Sequence, residues 1–385
     1  MAARVSVALA LILLAGLLGC NPPAAAQEPN NPRPLEQTGP VPVRAFVSSS
    51  KYGFIDHKGK IVLKPKYDDA QDFYEGLALV RQGKKALCID KEGRIQFALP
   101  DGTSTRRHFS EGRMWFMDDE KRQWGLCDAK GSIIISPKYD DVLDFSEGFA
   151  AVNLGAQHIG FTPWRHGGKW GFINTRGEVV VPLQFESVHS YSEGLAQVTN
   201  DKRAKFIDRS AKTVLEIGDS HVGDFRAGVA PLYVDKSDHW DTDFIDRKGK
   251  KQFTIEGYAS EYCEGLALVS VHQKSGGDLY GYIDRQGKFV IEPKFIEAHS
   301  FSEGLAGVAL KKAARWQRGE EWGYIDKTGA LKIEPKFNET RDFRNGLAAV
   351  HIGGERENRR HVGPVWTSGE WWLVDREGRK LQRPW

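Results

Sequence analysis

Cysteine and methionine are scarce, with four and three residues in a chain of 385. Cys20 stands near the start, while Cys88, Cys127 and Cys263 follow no spacing rule, so there is no disulfide framework and no CxxC zinc site. Cys88 and Cys127 occupy neighbouring positions of one strand motif, which sets them on opposite faces and predicts that they do not meet. Charge of one sign is also lacking: 54 Lys and Arg against 51 Asp and Glu leave +3, which argues against nucleic acid as an obligate partner. Catalytic motifs are missing as well. There is no Gly-x-Ser-x-Gly elbow, His-Glu-x-x-His or phosphate loop, and the 11 His do not pair at metal spacing. These absences predict a protein that is not an enzyme and uses no cofactor and no metal.

What the chain does have is repetition. Asp56-His57-Lys58-Gly59 recurs through Asp90-Lys91-Glu92-Gly93 and onward to Asp375-Arg376-Glu377-Gly378, nine times in all. Asp or Asn opens every copy because its side chain bonds its own backbone two residues on, and Gly closes all but one because a bulged hairpin needs a left-handed residue. Ala211 is the exception and predicts a strained or differently turned fifth unit. Between the hairpins runs a second signature, Phe73-Tyr74-Glu75-Gly76-Leu77-Ala78, with close copies at Phe145, Tyr191 and Phe301 and weaker ones at Phe109, Phe225, Tyr262 and Phe343. Its aromatic is suited to pin a crossing segment to the core, and its Gly turns the backbone into the next strand.

These motifs resemble the WG-repeat family, whose consensus runs through Trp-Gly-Phe-Ile-Asp, a Lys-x-Gly tip, Pro-x-Tyr-Asp and Phe-Ser-Glu-Gly-Leu-Ala. Trp124-Gly125, Trp170-Gly171 and Trp322-Gly323 carry the eponymous pair as repeat-structural residues, with Tyr52-Gly53 and Tyr280-Gly281 as variants. Units two, five and six depart most, with Ala86-Leu87, Lys205-Phe206 and Asp243-Phe244 where the pair is expected. The resemblance covers about residues 43–385 and implies a β-rich repeat scaffold, with no catalytic motif and no common ligand.

The front of the chain reads as an address. Arg4 supplies a positive start, Val5 to Leu18 is a short apolar run, and Leu17-Leu18-Gly19-Cys20 resembles a bacterial lipobox cleaved before Cys20. A permanent span needs about 20 apolar residues, so residues 1–20 read as a lipoprotein signal peptide with Cys20 as the lipid attachment site. Asn21 in place of Asp favours the outer membrane if the host is diderm. Residues 21–42, rich in Pro and Ala, form a disordered tether, and residues 43–385 form the repeat domain.

Each unit is expected to be a three-stranded antiparallel meander: strand A (Leu-Ala type), strand B (Trp-Gly type) and strand C (Ile-Val-Pro type). The crossing segment adds a fourth strand or a short turn. Nine such units exceed the usual range of about 4 to 8 propeller blades, and no blade is split between the termini. The fold class is therefore all-β, a tandem array of about nine repeats, with an open curved superhelix preferred over a closed β-propeller.

Successive turn positions lie 34, 38, 46, 34, 38, 38, 42 and 49 residues apart, and nearly all the extra length falls in the loop between strands A and B. Those loops hold Trp164, Arg165 and His166, then Arg315, Trp316 and Arg318, then Arg359, Arg360 and Trp366, residue types that dominate interface energetics. The loop tryptophans could equally fold back on the array. The turn tips carry one Lys or Arg each, a row suited to an anionic polymer or merely to solvation of a sheet edge. Acidic clusters such as Asp68, Asp69, Asp72 and Glu75 lack the ligand order of a calcium-binding loop and read as turn caps.

The combined expectation is a lipid-anchored envelope scaffold, without enzymatic activity, that binds a protein partner through its A-B loop edge. The alternatives are a receptor for peptidoglycan or an anionic glycan on the basic rim, and a hydrolase with its site in a closed propeller.

Overall fold

The computed structural model describes residues 41–44, 51–105, 107–158, 165–236, 239–273, 277–312, 320–354, 356–359, 363–366 and 368–381. The chain divides into Met1–Pro34 and Leu35–Trp385, and only the second unit is described. Cys20, the residues expected to form a signal peptide and nearly all of those expected to form a tether lie outside the described residues.

Every strand pairs with its neighbour in antiparallel fashion. In the fourth unit, Asp141–Val142 pairs with strand A (Phe149–His158), which pairs with strand B (Arg165–Asn174), which pairs with strand C (Val179–Phe185). The short leading strand is the crossing segment, so the fourth strand exists and is two residues long in most units. Among the described residues there are seven such four-stranded sheets, with a three-stranded sheet at either end of the domain and one separate hairpin.

The B-C hairpins follow from the Asp-x-x-Gly sequence. At the eighth turn, the Gly329 amide donates to Asp326 O at 2.9 Å and the Asp326 amide to Ala330 O at 2.9 Å, while the Asp326 carboxylate accepts the amides of Thr328 and Ala330. Gly329 has φ +83°. Ala211 adopts the same conformation at φ +64° and closes the same bond to Asp208 O, so the fifth turn is strained but not different.

The core lies between sheets. Phe54, Tyr67 and Phe73 pack with Val80, Leu87 and Ile89 of the next sheet, and the pattern continues to Tyr324, Ile333 and Phe337 against Val350 and Val374. Six of the eight crossing aromatics sit on a strand-B aromatic, as in Phe206–Phe225 and Tyr282–Phe301, both with centroids 4.8 Å apart, while Phe109 packs on Phe97 of strand C and Phe145 on Trp115 of strand A. Cys88 and Cys127 share one of these layers as free buried thiols, and burial pushes both up to about 12. Opposite faces of adjacent sheets look at each other, so the strand argument that keeps these cysteines apart fails across a stack.

The expected open superhelix is contradicted, because the stack closes into a β-propeller ring. At seven of the eight consecutive steps, the turn residue is a glycine packed on a strand-C side chain of the preceding unit, as in Gly93 on Leu63, Gly287 on Phe253 and Gly378 on Ile333. The same contact joins the two ends, where Leu381 lies 3.4 Å from the position a Cβ on Gly59 would take. Further in, Arg344 of the last crossing segment reaches Tyr74 of the first described one. Eight crossing segments thus line an eight-membered inner ring, and the sheet Val41–Tyr67, with no crossing segment among the described residues, is set into the wall between last and first. Closure needs no split blade. Leu381 reproduces the contact used at every other step, and the ring of crossing segments falls within the usual propeller range.

The Trp-Gly pair has a specific cause. Gly53, Gly125, Gly171, Gly281 and Gly323 do not have positive φ; instead, strand C crowds them. A Cβ on Gly281 would lie 2.6 Å from Ile291 O and 2.7 Å from Pro293 N. Opposite each of these glycines strand C bulges: Tyr280 pairs with Phe295 but Tyr282 with Ile291, so Glu292, Pro293 and Lys294 face one residue. In the fifth and sixth units the glycine position is Lys205 and Asp243, one residue earlier than the sequence motif suggests. Their C strands, Thr213–Gly218 and Lys251–Glu256, have no proline, and Asp243 pairs directly with Thr254. Glycine and proline are two halves of one bulge.

Two outcomes follow. Gly281→Ala should lower stability by about 1–3 kcal/mol through overpacking against backbone, whereas Lys205→Ala should stay within about 0.5 kcal/mol, both read by urea denaturation. The Thr328 hydroxyl and the Lys332 ammonium hold the Asp326 carboxyl well below its ordinary range. A carboxyl lowered on folding stabilises the protein above its unfolded value, about 4, and loses that contribution as pH falls through the folded value. The stability gap between the wild type and Asp326→Asn should therefore be widest at neutral pH and narrow steadily between about pH 4 and pH 2. A constant gap would mean that the carboxylate charge does not hold the turn.

Candidate partner-binding rim and inner ring

Strand direction gives the ring two unlike rims. Strand A starts at the Glu-Gly hairpin and runs to the A-B loop, and strand B returns to the Asp-x-x-Gly tip. One rim therefore carries every A-B loop, and the other carries tips and Glu-Gly hairpins together.

On the hairpin rim the glutamate of the second signature has a precise task. Glu75, Glu111, Glu147, Glu193, Glu264 and Glu303 all have φ between 50° and 55° and precede a glycine that is also left-handed, which makes a two-residue type I′ turn. Each carboxylate bonds the corresponding hairpin of the next unit. Glu75 accepts the amides of Glu111 and Gly112 at 2.7 and 2.8 Å, and Glu303 those of Asn345 and Gly346 at 2.7 and 2.9 Å. Glu111, Glu147, Glu193 and Glu264 accept from Gly148, Gly194, Gly228 and Gly304. The tip cations join them. Arg209 reaches Glu147 at 3.0 Å and Lys327 reaches Glu264 at 3.0 Å, while Arg247 and Arg376 donate to the carbonyls of Glu193 and Glu303. Much of the basic row is therefore engaged within the ring.

On the loop rim, the Asp of the Pro-x-Tyr-Asp segment ties down the loop base. Asp140 Oδ2 accepts the amides of Gly155 and Ala156 at 2.7 and 3.1 Å, Asp68 accepts Gly83, and Asn338 accepts Gly353. Beyond that base the fourth unit extends as a hairpin in which Gln157 pairs with His166 and His158 with Arg165. The ninth unit adds the separate hairpin Arg356–Arg359 and Gly363–Trp366, with Arg356 opposite Trp366. The backbone thus places Arg165, His166, Arg359 and Trp366 on rim hairpins, in two different units. Trp164, Arg315, Trp316, Arg318 and Arg360 lie outside the described residues.

Of the repeat-structural tryptophans, Trp322 lies in the core, and Trp124 and Trp170 pack against its edge. Trp322 is buried with His299 4.8 Å from its ring, and Trp124 is half-buried under the Arg107 guanidinium. Trp170 is half-buried and packs on the core shared by the fourth and fifth units.

The crossing segments bring together a polar set that sequence reasoning missed. The residue before each crossing aromatic is Asp72, His108, Asp144, Ser190, Asp224, Glu261, Ser300 or Asp342. His108 stacks on Tyr74 at 3.9 Å and lies 3.8 Å from Asp144; burial lowers its pKa, outweighing that carboxylate. Burial also raises Asp72, against the pull of Arg344 and His108. Across the ring, Glu261 accepts the Asp224 amide and Arg226 Nε, each at 2.8 Å, and burial, with Asp224 adding to it, raises its pKa. His189 is hydrogen bonded to Asp224 at 2.8 Å; burial opposes its charging, but that partner prevails and raises its pKa. His299 lies 3.5 Å from Asp342. Each group has a partner in its own or the next segment, which suits a polar seam between blades. The signal was legible as six ionisable residues in eight at one motif position.

The four carboxylates read as turn caps turn out to have separate tasks. Asp68 caps the loop base, Asp69 accepts the Ala70 amide, Asp72 belongs to the inner ring and Glu75 bonds the next hairpin. Among the described residues no group of three or more His, Cys, Asp or Glu is arranged to hold a metal.

No curated protein matches this sequence. Among solved structures it is similar to a eukaryotic initiation factor, at 11% identity and TM-score 0.44, over 90% of this chain and 84% of that one. It is also similar to the β-propeller domain of the Trilobed protease from Pyrococcus furiosus, at 8% identity and TM-score 0.38, over 89% and 98%. Pyrococcus horikoshii acylaminoacyl peptidase is a third, at 12% identity and TM-score 0.37, over 90% and 53%. The WG containing repeat family matches at residues 52–85, 124–156, 170–203, 280–312 and 322–355. Each match opens on an aromatic-Gly pair facing a proline bulge, so the WG containing repeat is found five times in this chain, and the unmatched units two, five, six and nine are those without that glycine.

Proposed function

We propose that this protein is a non-enzymatic, lipid-anchored scaffold of the bacterial envelope that holds a protein partner against the A-B loop rim. The observation that carries the reading is the contrast between the rims. The tip rim uses its carboxylates and many of its cations on itself, whereas the loop rim projects the hairpin Phe149–Asn174 and the hairpin Arg356–Trp366 outward. Loops on a rigid scaffold are where binding residues concentrate, and Trp and Arg are the side chains that carry interface energy. The anchor rests on the lipobox-like Leu17-Leu18-Gly19-Cys20 and the outer-membrane assignment on Asn21. A peptidoglycan or glycan receptor on the basic rim is less favoured, because Arg209, Arg247, Lys327 and Arg376 already have partners from the preceding unit.

Photo-crosslinking in cells tests the reading, with the crosslinker at positions 165 and 318 and with position 247 on the opposite rim as comparator. A defined protein adduct from the loop positions alone is expected. Glycan adducts, or adducts only at position 247, would overturn it.

A further inference from the structure

Of the seven steps between consecutive hairpins along the chain, from Glu75 to Asn345, one has the receiving half built and the carboxylate absent. At the step from the sixth to the seventh unit, Ala227 occupies the glutamate position and keeps its left-handed backbone, with φ +57°. The next hairpin is formed as elsewhere, with Glu264 at φ +50° and Gly265 at φ +92°. The amides of Glu264 and Gly265 have no acceptor among the described residues. Arg285, the tip cation of the same unit, is exposed and has no carboxylate partner among them either.

The equivalent steps show what this geometry binds. Glu147 is held by the Gly194 amide at 2.7 Å and by Arg209 at 3.0 Å, and Glu264 by Gly304 at 2.9 Å and Lys327 at 3.0 Å. Paired hairpin amides with a cation beside them form an anion-binding nest, and charge-assisted bonds of this kind are among the stronger ones. Ala lacks only the last carbon atoms and the carboxylate of Glu, so the missing group has the size of acetate.

We infer that the notch formed by Ala227, the Glu264 and Gly265 amides and Arg285 is a receptor for a carboxylate presented by a protein partner. It lies on the rim opposite the A-B loops and stands independently of the loop reading. An acidic side group and a terminal α-carboxylate offer the same chemistry, and the choice of peptide separates them.

The test uses amide-resolved NMR on the full-length protein. Sodium acetate is titrated against sodium chloride at equal ionic strength, followed by two capped tripeptides, acetyl-Gly-Glu-Gly-amide and acetyl-Gly-Gly-Gly with a free α-carboxylate. Acetate should shift the Gly265 amide where chloride does not, and the tighter tripeptide identifies the source. Ala227→Glu should abolish the shift by filling the notch in cis, with the thermal midpoint unchanged or raised. Arg285→Gln should weaken binding about tenfold while leaving the fold intact. No response at Gly265 in the wild type, or an equal response in Ala227→Glu, would overturn the assignment.

Discussion

The bond from a glutamate carboxylate to the hairpin amides of the next unit is the interaction on which the ring depends. Placing a non-glycine residue in the left-handed region costs on the order of 1–2 kcal/mol, and Asn is the better intrinsic choice ahead of Gly in a type I′ turn. Six of the eight hairpins nevertheless use Glu. Two charge-assisted bonds, each worth about 1.5–3 kcal/mol, outweigh the backbone cost, and they do so by coupling one unit to the next. Where Glu gives way, the reason can be read locally. Asn345-Gly346 is the intrinsically favoured turn, and it stands in the last crossing segment, where the first sheet is set into the wall and His57 approaches Gly346. Ala227 is the other departure.

A second constraint acts on the outer half of each unit. The strand-C bulge carries proline, which cannot donate to the ladder, and the bulge forces glycine on strand B. Where proline is absent the glycine is absent too. The two constraints work at different radii. The glycine-proline bulge shapes each blade, and the glutamate relay orders neighbouring hairpins around the ring. Because both act between neighbours, closure requires only that the two ends meet as any two units meet, and Leu381 on Gly59 satisfies that condition.

Strand order, turn chemistry and the aromatic pin were legible in the sequence because each is set by contacts within a few dozen residues. Closure was not, because it depends on a small rotation repeated at every step, to which no single residue testifies; Leu381 looks like any strand-C residue until the ring is built. The Cys88 and Cys127 reading failed for a related reason, since alternation within a strand says nothing about which faces of two sheets meet. The inner ring of His108, Asp144, Asp224 and Glu261 was visible as a column in the aligned repeats, but it reads as turn chemistry until the crossing segments are seen to converge. Of the loop residues, Arg165, His166, Arg359 and Trp366 fall on rim hairpins as strand pairing requires.

Residue-resolved amide hydrogen exchange tests the relay most directly. The hairpin amides of Gly112, Gly148, Gly194, Gly304 and Gly346, each bonded to a glutamate of the preceding unit, should exchange slowly, and Gly265, which follows Ala227, should exchange fast. Glu303→Ala should speed exchange at Asn345 and Gly346 by about tenfold or more while leaving Gly194 unchanged. If Gly265 proved as protected as its counterparts, or if removing Glu303 left Gly346 unaffected, the glutamate relay would not be what couples the blades.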